Sequence, residues 1–331
     1  MRKIPRTVVR ALPCRAVLRR VLARGPCGRF NSSRTLGAEE RDLEPVQELT
    51  AAAARPPGEV MIARPIALSE HLFRDKVVLV SGGGTGIGRS AVWILARLGA
   101  KVVTCGRSEQ KLDVLREELE AQGLSALTVP TDIRDRDAVG ALFDQVYERH
   151  GRLDLLINNA GGQFPIPAID MSANGFRAVV ENNLNGTWNM MQIAAQRWRD
   201  SGGPGSIVNV VAVVERGIMG AAHTTAARAG VIYLSKTVAV EWAPLKIRVN
   251  CVAPGTVFTE GMAGYPEEVK KAYYRCNPML RLGDPWEIAE ACLFMGSDAS
   301  SFTTGELLRV DGGGQLWGDL WTQGKPDYFK E

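Results

Sequence analysis

The sequence predicts an α/β protein: one doubly wound sheet of seven parallel strands with helices on both faces. Three observations predict it. From Leu72 onward, short apolar runs alternate with longer amphipathic ones. They place strands at 76–81, 101–105, 126–130, 153–158, 206–211, 247–252 and 306–310, and helices at 86–98, 108–122, 135–150, 172–199, 221–242, 266–275 and 285–296. The strand segments are rich in Val, Leu and Ile, as strands buried on both faces are. The first strand also runs directly into Ser81-Gly82-Gly83-Gly84-Thr85-Gly86-Ile87-Gly88, ahead of a helix. A glycine loop in that position lets the backbone approach a pyrophosphate while the helix points its free N–H groups at it.

The 331 residues, 45% hydrophobic and 23% charged, suffice for one such domain, expected over 72–314, with extensions. No apolar run approaches the roughly 20 residues of a membrane span. The six cysteines are scattered without a CxxC pair, which reads as reduced thiols and no metal site. The net charge of +4 is misleading, because residues 1–36 carry nine Arg and Lys3 and no acid. Without them the body has 30 basic against 36 acidic residues, so nucleic acid is not an expected partner.

The chain begins with that basic segment. Arg2, Arg6 and Arg10 recur at a four-residue step among Val8, Val9 and Leu12. An acid-free, Arg-rich amphipathic start is the pattern of a mitochondrial matrix presequence, expected over 1–36. A basic disordered arm is the alternative. Residues 37–71 read as a linker, with a possible helix over 39–54 that Pro56, Pro57, Gly58 and Pro65 interrupt.

Within the domain, the loop Ser81, Gly82, Thr85, Gly86, Ile87 and Gly88 is the expected pyrophosphate cradle of a Rossmann-type sheet. The second strand ends in Gly106-Arg107, where an NAD site usually has an acid for the ribose 2′-OH. Arginine there suits a 2′-phosphate, so NADP(H) is the expected cofactor; a solvated turn charge is the alternative. Asp132 and Ile133 end the third strand, where a short acid can meet adenine or simply cap a helix. Asn159, Ala160 and Gly161 end the fourth, and Pro254-Gly255 the sixth, at the edge where such sheets bind ligands. Thr259 follows, within reach of a nicotinamide amide. The segment 258–277 mixes Met262, Tyr265, Tyr273 and Tyr274 with Lys270, Lys271 and Arg275, suiting an acyl chain and coenzyme A phosphates or a solvated helix equally. Residues 315–331 read as an aromatic tail.

Together Ser81-Gly82-x-x-x-Gly86-Ile87-Gly88, Asn158-Asn159-Ala160-Gly161, Asn183-Leu184-x-Gly186-Thr187, Pro254-Gly255 and Val310-Asp311-Gly312-Gly313 resemble the short-chain dehydrogenase/reductase family. The resemblance implies a nicotinamide-dependent oxidoreductase, a homodimer or homotetramer, with a Tyr-x-x-x-Lys pair, a Ser and an Asn at its centre. Only Asn183 matches. The alignment places Thr224 at the Tyr position, Arg228 at the Lys position, and Val211 or Ala212 at the Ser position. A threonine hydroxyl does not ionise near neutral pH, so Thr224 cannot replace a phenol as general acid.

Gly161-Gly162-Gln163-Phe164 and Ala222-His223-x-x-Ala226-Ala227-Arg228-Ala229-Gly230-Val231 are similar to the trans-2-enoyl-CoA reductase branch of the family. That likeness implies an acyl-CoA substrate and chemistry in which negative charge develops on a thioester oxygen. His223 is then the expected donor, unless it merely packs at a helix start; Tyr265 is a weaker candidate. Asn183, His223, Thr224 and Arg228 are the expected catalytic group. The missing residues equally suit a silent relative retained as a subunit of a mitochondrial assembly.

Overall fold

A computed structural model of the chain describes residues 58–264 and 273–317. The presequence, the helix expected over 39–54, Tyr265, most of the helix expected over 266–275 and the end of the tail lie outside the described residues. In chain order the elements are α1 (Gly58–Ala63), β1 (Val77–Ser81), α2 (Gly86–Arg97), β2 (Lys101–Gly106), α3 (Glu109–Glu120), β3 (Leu127–Pro130) and α4 (Arg136–His150). There follow β4 (Leu155–Asn158), α5 (Ala173–Val180), α6 (Gly186–Ser201), β5 (Gly205–Val210), α7 (Ala222–Trp242), β6 (Ile247–Pro254), α8 (Pro285–Gly296) and β7 (Leu307–Val310).

All seven strands are parallel, in the order β3-β2-β1-β4-β5-β6-β7. The order reverses between β1 and β4, and the crevice outside the carboxyl ends there is where such sheets bind ligands. Successive strand residues feed two cores. Val78, Val80, Val102, Leu155, Ile157 and Val208 pack under α2, α3 and α8. Val77, Leu79, Val103, Leu156, Ile207 and Val249 pack under α4, α6 and α7. That two-sided burial explains the strands' unbroken apolar composition.

Two features depart from the expected pattern. The helix expected over 172–199 is continuous but contains a π-turn, Glu181–Asn185, where the Gly186 amide donates to the Glu181 carbonyl five residues back. The Thr187 hydroxyl donates to the Asn183 carbonyl at 3.0 Å, stabilising the widened turn. Such turns are frequent at functional sites.

The second departure is in the segment read as a linker. Gly58 and Pro65 do not simply interrupt structure; they bound α1, which docks on the domain. Met61 is 1% exposed and belongs to the core under α2 and α8. Arg97 donates to the carbonyls of Met61 and Arg64 at 3.0 and 2.7 Å. Arg64 makes a two-pronged ion pair with Asp284 at 3.2 and 2.9 Å. The Trp286 ring lies 4.8 Å from the Arg64 guanidinium and 5.8 Å from that of Arg97, while its N–H donates to the Pro65 carbonyl.

Candidate active site

The glycine loop is held by contacts that only glycine permits. A Cβ on Gly88 would meet the Gly82 carbonyl oxygen at 2.3 Å, and one on Gly82 would meet Ala160 Cα at 2.9 Å. Gly82 also has φ +71, outside the comfortable range of other residues. The Ser81 hydroxyl accepts the amides of Asn159 and Ala160, each at 3.1 Å. The Asn159 side chain donates to the Ser81 and Gly82 carbonyls, also at 3.1 Å. Ser81 and Asn159 therefore use their side chains to bind the glycine loop to the β4 turn. Thr85 caps α2 in an extended conformation with no side-chain cap bond.

Along the same edge, Arg107 is exposed past β2. Asp132 is clamped by Arg134, whose Nε lies 2.9 and 3.0 Å from the two carboxylate oxygens. That hydrogen bonding holds the Asp132 carboxyl below its ordinary pKa. The pairing had no signature in the sequence, since Arg134 reads as an ordinary surface charge. Ile133 is buried against Gly186, and its carbonyl accepts from Asn189. Gly255 packs on Asp311, with its amide donating to the Val310 carbonyl. Thr259 lies on the glycine loop, its methyl 3.2 Å from the place a Gly86 Cβ would take. The segment carrying Thr259 is anchored at its neck, where Phe258 donates to the Gly283 carbonyl and Gly283 to the Thr256 carbonyl.

The expected catalytic residues converge on the turn after β4. Asn183 is buried and bonded to Gly162 twice: its Nδ2 donates to the carbonyl and its Oδ1 accepts the amide, both at 3.0 Å. Arg228 packs on Gly161 so closely that a Cβ there would meet its Nη2 at 2.0 Å. Arg228 is 7% exposed, and its Nη1 has no hydrogen-bond partner among the described residues. Burial pulls its pKa down to about 10, which still leaves it charged at neutral pH.

One turn earlier on α7, the His223 ring is fully buried and meets Phe164 edge to face at a centroid distance of 4.7 Å. The Thr224 amide donates to His223 Nδ1 at 2.7 Å, and the Thr224 hydroxyl lies 3.2 Å from the same nitrogen. Nε2 is buried and has no partner among the described residues. A buried network fixes α7 on the sheet: Asn158 donates to Asn209, Asn209 to Ser235, and Ser235 to the Val231 carbonyl. The cluster thus presents two unsatisfied N–H donors, His223 Nε2 and Arg228 Nη1. Buried donors without partners in a native fold mark a place where a ligand oxygen is wanted. Glu260, an acid without a motif to mark it, accepts the Gly86 amide on its carboxylate at 3.0 Å.

With fold and site in place, comparison with known proteins gives the class. Residues 82–315 match the family model described as enoyl-(acyl carrier protein) reductase. A probable 2,4-dienoyl-CoA reductase of Bacillus subtilis is 37% identical over 246 residues, 73% of this chain and 97% of that protein. A peroxisomal 2,4-dienoyl-CoA reductase of Pongo abelii is 36% identical over 274 residues, 80% of this chain and 93% of that protein. A solved short chain dehydrogenase from Bacillus anthracis superposes with a TM-score of 0.69 at 39% identity, covering 73% of this chain and 97% of that one.

The chain belongs to the short-chain dehydrogenase/reductase family of oxidoreductases, whose fold takes NAD or NADP. Within that family it stands near the enoyl-CoA reductase branch. No helix among the described residues is long and apolar enough to cross a membrane.

Proposed function

We propose that the protein is an NADPH-dependent reductase of the C2=C3 bond of a trans-2-enoyl-CoA thioester, acting in the mitochondrial matrix. The observation that carries this reading is that α7 holds two buried nitrogens without partners among the described residues, Nε2 of a fully buried His223 and Nη1 of Arg228. The glycine loop fits a dinucleotide, because its close approach to Ala160 and Asn159 leaves a backbone-lined surface at the α2 N-terminus. Gly82, Thr85, Gly86 and Ile87 would hold the pyrophosphate, Arg107 the 2′-phosphate, Arg228 the nicotinamide ribose and Thr259 the amide. When bound, NADPH supplies hydride to C3 of the substrate.

The residues of the chain do the rest. As C3 gains hydride, the C2=C3 electron pair moves toward the thioester oxygen, and His223 Nε2–H donates to that oxygen. Water delivers the proton to C2, so no phenol is needed. This accounts for Thr224 and Arg228 standing where the family resemblance puts Tyr and Lys. Asn183 fixes Gly162, and with it the Gly161 backbone on which Arg228 rests. Conjugated acyl-CoA thioesters are also named in the relatives reported above.

The test is anaerobic NADPH oxidation by the purified protein against a panel of 2-enoyl-CoA, 2,4-dienoyl-CoA and carbonyl substrates. Turnover with enoyl thioesters and not with simple carbonyls is expected. A protein that binds NADPH yet oxidises it with no thioester at any pH would end the enzyme reading.

A further inference from the structure

We propose that Glu260 is a built-in competitor for the cofactor: its carboxylate holds the pyrophosphate cradle, and NADP(H) must displace it to bind. This rests on the dinucleotide reading above and concerns the regulation of that same site. Glu260 Oε2 accepts the Gly86 amide at 3.0 Å, across 174 residues of sequence. Gly86 opens α2, a twelve-residue helix with no acidic residue in its first turn and no side-chain cap bond from Thr85. The positive end of α2 therefore has neither of its usual local partners. Glu260 supplies the anion from a distant segment.

The consequence follows from charge. A pyrophosphate approaching Gly86 and Ile87 meets a carboxylate already bonded there, and two anions do not share one N–H favourably. Thr259 rests on the same loop, so the two residues lie on the cradle together. Their segment is fixed at its neck by the Thr256, Phe258 and Gly283 backbone bonds. Expelling Glu260 thus swings 259–264 about that neck while the rest of the sheet edge stays in place. Cofactor binding and movement of the segment over the substrate become one event, which imposes cofactor-first order on the reaction. The apparent affinity for the cofactor is reduced by the fraction of molecules in which the latch is closed.

The experiment uses the full chain, its Glu260→Gln and Glu260→Ala variants, NADPH and inorganic pyrophosphate, with binding followed by calorimetry at low and high salt. Both variants should bind NADPH and pyrophosphate more tightly than the parent. A latch closed nine-tenths of the time gives a gain of about tenfold, and the gain should shrink at high salt. Amide exchange over 259–264 should quicken in the parent on adding NADPH, and be quick in Glu260→Gln without it. Unchanged or weaker NADPH binding in both variants overturns the latch while leaving the cofactor reading intact. Failure of parent and variants alike to bind NADPH or pyrophosphate overturns both. Binding by the variants alone would be its strongest support.

Discussion

The Thr224 amide donates to Nδ1 of His223 at 2.7 Å, which leaves the imidazole proton on Nε2. A backbone N–H can only donate, so Nδ1 must accept and the neutral ring carries its hydrogen on the other nitrogen. That nitrogen is the unpartnered one. His223→Ala should lower enoyl-CoA turnover by about 10²–10³, the range for loss of one oxyanion donor. NADPH binding should be nearly unchanged, and His223→Gln should recover part of the rate through its amide N–H. Steady-state kinetics with a parallel NADPH titration decides it; equal turnover in His223→Ala would remove the residue from the mechanism.

Arg228 trades stability for binding. A buried guanidinium with an orphaned Nη1 is costly to the fold. Arg228→Met should raise thermal stability by roughly 1–3 kcal/mol and abolish measurable NADPH binding. The sign of the pH effect is fixed by the folded-state pKa of about 10, which burial pulls below the ordinary arginine value. Between those values the unfolded chain holds the proton more tightly, so the parent gains stability as pH rises there. The Met variant lacks that rise, which denaturant titrations across alkaline pH would reveal.

Cofactor choice should follow Arg107. A charge-assisted contact to the 2′-phosphate is worth about 1.5–3 kcal/mol, so NADPH should bind more tightly than NADH by that margin. Arg107→Asp should erase or reverse the preference. Identical titration curves for the two cofactors with the parent protein would count against it.

Asn183 should act through Gly162. Asn183→Asp keeps the acceptor for the Gly162 amide but loses the donor to its carbonyl, in a residue 1% exposed. A drop of about 1–3 kcal/mol in unfolding free energy is expected, the usual result of leaving a buried polar group unpaired. Thermal unfolding measures it, and kcat should fall with it as the Gly161 backbone loosens under Arg228.

The basic N-terminal run predicts a processed protein. The native chain isolated from mitochondria should begin between Phe30 and Gly37, as read by N-terminal sequencing. An intact Met1 on a cytosolic protein would contradict the expected address.

The sheet was legible because strands such as Val77–Ser81 and Leu155–Asn158 are apolar on both faces, and burial on both faces leaves that composition. The cradle was legible because a strand, a glycine loop and a helix are contiguous in sequence. The rest required the chain to fold back on itself. Helix α1 has six residues, too few to show a period, and its first residue Gly58 and the nearby Pro65 read as breakers. The π-turn at Asn183 changes hydrogen bonding and not composition. Glu260 and Arg134 are ordinary surface acids and bases until the fold sets one on Gly86 and the other on Asp132.

The docking of α1 sets a floor on how far the chain can be trimmed. Two guanidiniums cover Trp286, one of them contributed by Arg64, and Trp93 lies 3.3 Å from the place a Gly58 Cβ would take. A protease that removed residues through 72 would leave an indole uncovered, Asp284 without its Arg64 ion pair and the bed of Met61 open to water. Such a surface invites aggregation. Packing therefore limits trimming from this side: a cut beyond residue 58 takes away contacts of α1 and converts a covered flank into an adhesive one.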